Sequence, residues 1–198
     1  DSENKINDGI LKGHLYLKGG GDPSFVSENM WFLVNHFLRN GIKKIEGNII
    51  VDDSLFDSIR FDGSRQENRV DRAYDAPVGA MSFNWNSVNI FVRPGKVGSP
   101  ANVYLDPENK YLRLNNTTKT VSGDDQKIAA DRKDNVISVS GKIGQATKEA
   151  VIFKSVLEPD LWSGENLRSF LKQRGIEVQG EIKSGKSPAR YEVLAEVE

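Results

Sequence analysis

Apolar residues change their spacing along the chain. Leu11, Leu15 and Leu17 alternate with more polar neighbours, the period-two pattern of a half-buried strand. Met30, Trp31, Leu33, Val34, Phe37 and Leu38 recur at three- and four-residue intervals, which predicts one amphipathic helix between Ser27 and Asn40. Ser27 is the expected N-cap, and Gly41 stands where a left-handed residue usually follows a helix. Ile45, Ile49 and Val51 then begin a second strand, closed by Asp52-Asp53-Ser54. Gly19-Gly20-Gly21 ends the first strand as a tight turn, and Pro23 cannot donate to a sheet ladder. The unit is strand, glycine turn, helix, strand.

Residues 58–79 are polar and aperiodic, and so long a loop is usually functional or lies over a domain junction. From Ala80 the pattern becomes short strands. Val88, Ile90 and Val92 alternate, Val103 and Leu105 lead to the turn Asp106-Pro107-Glu108-Asn109, and Tyr111–Leu114 precedes an expected turn at Asn115-Asn116. After the turn Ser122–Asp125, Val136, Ser138, Ser140 and Ile143 give a strand ending near Gly144. This density predicts an antiparallel β lobe. Pro159 then starts a helix with the stripe Leu161, Trp162, Leu167, Phe170 and Leu171, and Gly175–Ile182 reads as a strand. Both predicted helices end through glycine into a run with Ile or Val, glycine, then Ile, a weak internal echo that cap chemistry explains as easily as duplication. Tyr191, Val193 and Val197 alternate in the tail, as in a strand whose neighbour lies elsewhere. The fold class is α/β plus β: a small sheet flanked by two helices, with an inserted antiparallel β-rich lobe. The expected divisions are 9–79, 80–147 and 148–198.

Composition narrows the function classes. The 198 residues are 37% hydrophobic and 28% charged, with a net charge of −1, so no basic excess argues for nucleic acid or an anionic membrane. Cysteine is absent, which excludes disulfides and thiolate metal sites. No apolar run approaches a membrane span, and the first residues are no signal peptide, which suits a mature form or a fragment. His14 and His36 lack ligand spacing, and Asp52, Asp53 and Asp57 lack the twelve-residue loop of a calcium site, so no metal or cofactor is expected.

Two long strings carry a resemblance. One runs from Leu11 to Asp57, including G-H-L-Y-L-K-G-G-G-D-P-S-F; the other is Tyr74–Gly95, Y-D-A-P-V-G-A-M-S-F-N-W-N-S-V-N-I-F-V-R-P-G. In sequence and order they resemble the D-alanyl-D-alanine carboxypeptidases/endopeptidases of the penicillin-binding protein 4 type, low-molecular-mass class C. The likeness continues weakly to the C-terminus. It implies the non-catalytic region that such enzymes insert inside their serine-transferase domain.

Serine-transferase chemistry needs a helical Ser-x-x-Lys, a Ser-x-Asn and a Lys-Thr/Ser-Gly converging on one cleft. All three strings occur: Ser169–Lys172, Ser82–Asn84 and Ser87–Asn89, and Lys183-Ser184-Gly185; Ser2–Lys5 is a further formal match. Their order is not that of the resembled family, where Ser-x-x-Lys comes first, and none is expected to be catalytic. Gly180–Ser187 also fits the phosphate-loop pattern, but Pro188 and a strand-like run follow where a helix is required.

The resemblance therefore implies an accessory region of a serine-type D-Ala-D-Ala carboxypeptidase/endopeptidase, with the chain alone inactive. Its expected partners are the transferase domain of the parent chain and peptidoglycan peptides, in the periplasm or outside the cell. The resemblance further implies that Asn84, Trp85 and Asn86 lie near the substrate rim, where two amides and a flat indole would meet the peptide's diamino-acid side chain. An acidic grip for its ammonium group has no clear counterpart. A stand-alone peptidoglycan-binding or scaffold module, and an unrelated enzyme, are the rival readings.

Overall fold

The computed structural model describes residues 6–61, 63 and 71–197. The Ser2–Lys5 string and residues 62 and 64–70 of the expected long loop lie outside them. The chain divides into two units. The first contains Asp1–Gly63, Pro77–Asn86 and Glu158–Glu198; the second contains Ser64–Ala76 and Ser87–Leu157. Residues 80–86 thus group with the first unit, and 148–157 with the second.

Three parallel chain passages build the first unit. Each is a pair of short strands: β2 (Ile10–Leu11) and β3 (Leu15–Lys18), β4 (Lys44–Ile45) and β5 (Ile49–Asp52), and β12 (Glu177–Val178) and β13 (Ile182–Ser184). The hairpin strand β1 (Ile6–Asn7) adds antiparallel to β2. The two sheets run β1-β2-β4-β12 and β13-β5-β3, so the same passage is central in both. The strands predicted as single elements are therefore each broken once, at the same level. Glycines mark the break. A Cβ on Gly47 would lie 2.3 Å from the Gly13 carbonyl oxygen, and one on Gly180 would lie 2.3 Å from that of Gly47. Backbone pairing continues across it, with Leu15 N–H donating to Asn48 O and Ile49 N–H to Glu181 O. The echo between the two helix–strand runs thus has a physical cause: both runs cross one bend. Gly41 and Gly175, at φ +71° and +78°, turn the chain from each helix into its strand.

The helices are α1 (Ser27–Leu38) and α2 (Pro159–Gln173). Val26, not Ser27, is the N-cap of α1; its N–H donates to the Asn29 side chain, the reciprocal half of a capping arrangement. Met30, Val34 and Phe37 face the core, while Trp31 remains 39% exposed. Helix α2 packs on β5, β12 and β13, and α1 packs on α2. Gly164 makes the close approach possible, since a Cβ there would lie 2.4 Å from Ile182 Cγ2. Ile45, Ile49, Val51, Trp162 and Leu171 are fully buried, each aliphatic contributing roughly 1.5–3 kcal/mol.

The second unit has two three-stranded sheets. In one, β6 (Ser87–Arg93) lies between β7 (Asn102–Asp106) and β11 (Ala150–Ser155), antiparallel to both. In the other, β10 (Val136–Gly144) lies between β8 (Arg113–Val121) and β9 (Gln126–Lys133). The pairing of β10 with β8 is parallel, so the lobe is not wholly antiparallel: the β9–β10 hairpin takes the position beside β8 with its second strand. Asn115 and Asn116 lie inside β8 rather than in a turn, because Asn116 Nδ2 donates to Ala101 O and its Oδ1 accepts from Thr118, which satisfies the amide within the strand. Val88, Ile90, Val92, Ile137, Val139 and Ile143 form the core and are fully buried. The tail from Ser187 onward forms no strand among the described residues.

Gly47→Ala should destabilise the chain by more than about 3 kcal/mol, because the clash is with backbone and cannot be relieved by a rotamer. Gly20→Ala, whose Cβ meets nothing within 4 Å, should unfold within about 0.5 kcal/mol of wild type. Urea midpoints of the two variants provide the comparison.

Candidate functional site at the carboxyl ends of the parallel strands

Strands β3, β5 and β13 end side by side, and each is followed by polar or glycine-rich chain: Gly19–Asp22, Asp52–Ser54 and Gly185–Ser187. In open parallel sheets this end is where ligands usually bind. Here residues 77–86 cross it. The backbone of Ala80 and Met81 lies against Gly19, where a Cβ would sit 2.3 Å from Met81 N, and Gly21 N–H donates to Ala80 O at 2.8 Å. The glycine run is thus required by close approach at Gly19 and by φ +81° at Gly21, more than by a tight turn alone. The two strings that carried the resemblance meet at this point.

Three carboxylates bind chain at these strand ends, and Asp53 bonds the crossing itself. Asp53 accepts from Met81 N–H and from Arg60. Asp160, at the start of α2, accepts from Ser184 Oγ at 2.5 Å and lies 4.0 Å from Arg60 Nη2. Asp52 accepts from the N–H and hydroxyl of Ser187 and from Ser54 N–H. Burial pushes the Asp52 carboxyl up, but the hydrogen bonds from Ser187 and Ser54 outweigh it and hold the group well below the ordinary carboxylate range. Asp57 accepts from Ile59 N–H, so the strand-end aspartates turn to different partners instead of a common centre. His14 Nδ1 accepts from Asn48 N–H.

The Asp52 contacts also decide the phosphate-loop string. Ser187 N–H and hydroxyl, which such a loop would aim at phosphate, are given to a carboxylate, and no helix follows. Two of the serine-transferase strings stand at different levels of α2. Ser184 contacts the first turn of α2, whereas Ser169 lies nine residues further along, about 13 Å at helical rise. Lys172 is exposed at the far end, and Ser87–Asn89 belongs to the second unit.

Phe83 anchors the crossing segment. It packs edge-on against Phe25 at 6.2 Å and Phe170 at 6.3 Å, lies 6.4 Å from Trp162, and its carbonyl accepts from Trp162 Nε1 at 3.1 Å. Asn84, Trp85 and Asn86 then adopt three consecutive left-handed conformations, at φ +48°, +53° and +51°. Such backbone costs on the order of 1 kcal/mol or more per non-glycine residue. The asparagine side chains stabilise it. Asn84 Oδ1 accepts from Ser27 N–H at 3.0 Å and thereby serves the first turn of α1 from outside the helix. Asn86, 3% exposed, accepts from Phe83 N–H and donates to Pro77 O and Ser82 Oγ. Both amides are thus engaged with the chain, Asn84 half-buried and Asn86 buried. Trp85 alone stands out, 66% exposed at the apex.

A groove of about 1250 Å³ adjoins the crossing. Leu15, Leu17, Val34 and Phe37 line it on the strand and helix side, and the tail residues Tyr191 and Val193 line the other. Lys18 Nζ meets the Tyr191 hydroxyl at 3.3 Å, and Asn40 Nδ2 donates to Leu194 O at 2.8 Å.

With this geometry established, comparison with known proteins defines the class: a portion of a D-Ala-D-Ala carboxypeptidase fold. The chain belongs to the D-Ala-D-Ala carboxypeptidase 3 (S13) family, matched over residues 1–198. It is 28% identical over 194 residues to a D-alanyl-D-alanine carboxypeptidase of Actinomadura sp. (strain R39), covering 92% of this chain and 36% of that protein. It is 24% identical over 202 residues to D-alanyl-D-alanine carboxypeptidase DacB of Haemophilus influenzae, covering 98% and 41%. The crystal structure of penicillin binding protein 4 (dacB) from Haemophilus influenzae superposes with a TM-score of 0.72 at 21% identity, over 96% of this chain and 43% of that one. The same protein in complex with a β-lactam gives 0.62 at 18% identity, over 96% and 40%. The chain thus spans about two fifths of the length of the relatives it matches. Among the described residues no helix is long and apolar enough to cross a membrane.

Asp52 binds its proton less readily in the folded chain than in the unfolded one. The unfolded state therefore takes up more protons below about pH 4, and stability present at neutral pH is lost as the pH falls through the folded-state value. Asp52→Asn should cost about 1–3 kcal/mol at pH 7 and flatten the acid limb. Urea midpoints from pH 7 to pH 3 measure both effects, and parallel curves for variant and wild type would exclude the assignment.

Proposed function

We propose that this chain is the accessory, non-catalytic portion of a serine-type D-Ala-D-Ala carboxypeptidase/endopeptidase that trims peptidoglycan peptides, in the periplasm or facing the wall. The observation that carries the reading is the separation along α2. Ser169 and Lys172 stand at one end, and the Lys183-Ser184-Gly185 string meets the other. A nucleophile and its proton-accepting lysine need a second lysine strand within one cleft, so the catalytic set is supplied by other residues of the enzyme. The partner of this chain is then the transferase domain of the same protein.

Intact-mass spectrometry of the 198-residue chain after incubation with a penicillin tests this. No acyl adduct should form on Ser169 or any other serine. A stoichiometric adduct would sink the reading.

Within the expected rim trio, the amides of Asn84 and Asn86 already bond the chain, which favours Trp85 as the substrate contact. An exposed indole held on a left-handed turn offers a flat apolar wall at fixed orientation. In the full-length enzyme, Trp85→Ala should lower kcat/KM for peptides carrying a diamino acid about tenfold, a few methylene contacts' worth. It should leave short peptides and the Tm close to wild type. Equal losses on both substrates would remove Trp85 from the rim, and Asn86→Ala should instead lower the Tm.

A further inference from the structure

The outer face of the β8–β10–β9 sheet carries a row of like charges. Lys142 of β10 pairs directly with Lys119 of β8 on one side and with Lys127 of β9 on the other. Directly paired residues share a face, with Cβ atoms about 5 Å apart. The opposite face holds the buried Ile137, Val139 and Ile143, so the three lysines stand in solvent. Like charges in one cross-strand row are destabilising. Among the described residues none of the three makes an ion pair. Asp124 and Asp125, in the turn between β8 and β9, are close in sequence and form no such pair either. The chain as a whole is at −1, so the row is a local concentration rather than a share of a basic protein.

The rungs beyond the row complete the face. Ser140 stands between Thr117 and Ala129, Ser138 between Asn115 and Asp131, and Val136 between Arg113 and Lys133. A second cationic end thus lies six residues from the first, about 20 Å along the strands, with hydroxyl and amide side chains, Ala129 and the single carboxylate of Asp131 between. No aromatic side chain stands on this grid to stack on a base, and no large apolar one to enter lipid.

We infer that this face is a second, non-catalytic contact surface for peptidoglycan, in which the lysine row meets the free carboxylates of its stem peptides. The inference rests on the peptidoglycan reading above. That reading supplies an occupant of complementary charge, since a peptide ending in D-Ala-D-Ala presents a carboxylate and a series of amides. The lysines supply the ionic attraction, and Asn115, Thr117, Ser138 and Ser140 supply hydrogen bonds to peptide groups. The surface would hold the enzyme on the polymer between turnovers without touching the bond it cuts.

Cosedimentation of the full-length protein with insoluble peptidoglycan stripped of phosphate-bearing polymers tests the surface. Wild type should sediment at low salt and be released at high salt, as screening of exposed charges requires. Lys119→Gln/Lys127→Gln/Lys142→Gln should bind about tenfold more weakly or worse, with a Tm no lower than wild type. Lys142→Gln alone, which removes the central charge, should weaken binding several-fold. The exposed triple Lys12→Gln/Lys43→Gln/Lys172→Gln makes the same net change elsewhere and should bind as wild type. Converting the wall carboxylates to amides should abolish retention. Equal retention of the row variant, retention that survives amidation, or stronger binding to phosphatidylglycerol vesicles or duplex DNA than to the wall would each overturn the proposal. Cleavage of a soluble peptide ending in D-Ala-D-Ala by the same preparations judges the functional reading separately. Cleavage without retention removes only the surface, and absence of cleavage removes only the enzymatic reading.

Discussion

Three backbones pass each other at Gly13, Gly47 and Gly180, and the first unit depends on how closely they do so. The separations leave no room for a Cβ at Gly47 or Gly180. Each passage bends at that level, and the six short strands keep a common order on both sides. Strands of two to four residues would be marginal alone. Here they are held as halves of longer passages, with backbone bonds bridging the bend. The bend delivers the ends of β3, β5 and β13 to one place, and a single glycine on α2 lets the helix close over β5 and β13.

Charge at that place joins segments of the chain. Asp52, Asp53 and Asp160 each take donors from segments distant in sequence: Ser187, Met81 and Ser184. A buried carboxylate left without such donors would cost several kcal/mol, so these contacts favour one arrangement of the segments they join, the crossing among them through Met81 and Asp53. What the arrangement displays is an indole. The strain of three left-handed residues is offset by the Asn84 and Asn86 side chains and by the aromatic packing around Phe83. A polar turn of that shape suits asparagine, whose side chain bonds the backbone around it.

The sequence was informative wherever the cause was local. The apolar periods located both helices and the alternating cores of β6 and β10, and Gly41 and Pro159 marked helix ends. Two long strings identified the family. Local signals failed where a distant segment decided the outcome. Nothing near Ser27 announces that Asn84 will serve its N–H, and nothing near Asp52 announces Ser187. Leu11 and Leu15 share one alternating pattern, yet the bend puts them in different sheets because Gly13 and Gly47 approach each other from separate passages. Asn115-Asn116 has the composition of a turn and lies in a strand, since β10 supplies the pairing and Ala101 the side-chain partner. The lysine row was equally hidden: its members are scattered along three strands, and only register aligns them.

The interruption of the first unit has a consequence for how the protein is made. Strand β5 takes β3 on one edge at once, but its other edge waits for β13, which is synthesised after the whole second unit. At ribosomal rates the roughly 130 intervening residues correspond to about ten seconds or more with the strand edge and the apolar face beneath α2 uncovered. The second unit, by contrast, has all its strands in one run of chain and can close in the meantime. Newborn chains therefore hold a finished β unit while a sheet edge of the first unit is still open, the state most prone to pairing with a neighbour. The residues that end this exposure are Gly164, Ile182 and Ser184, which seat the last helix and strand.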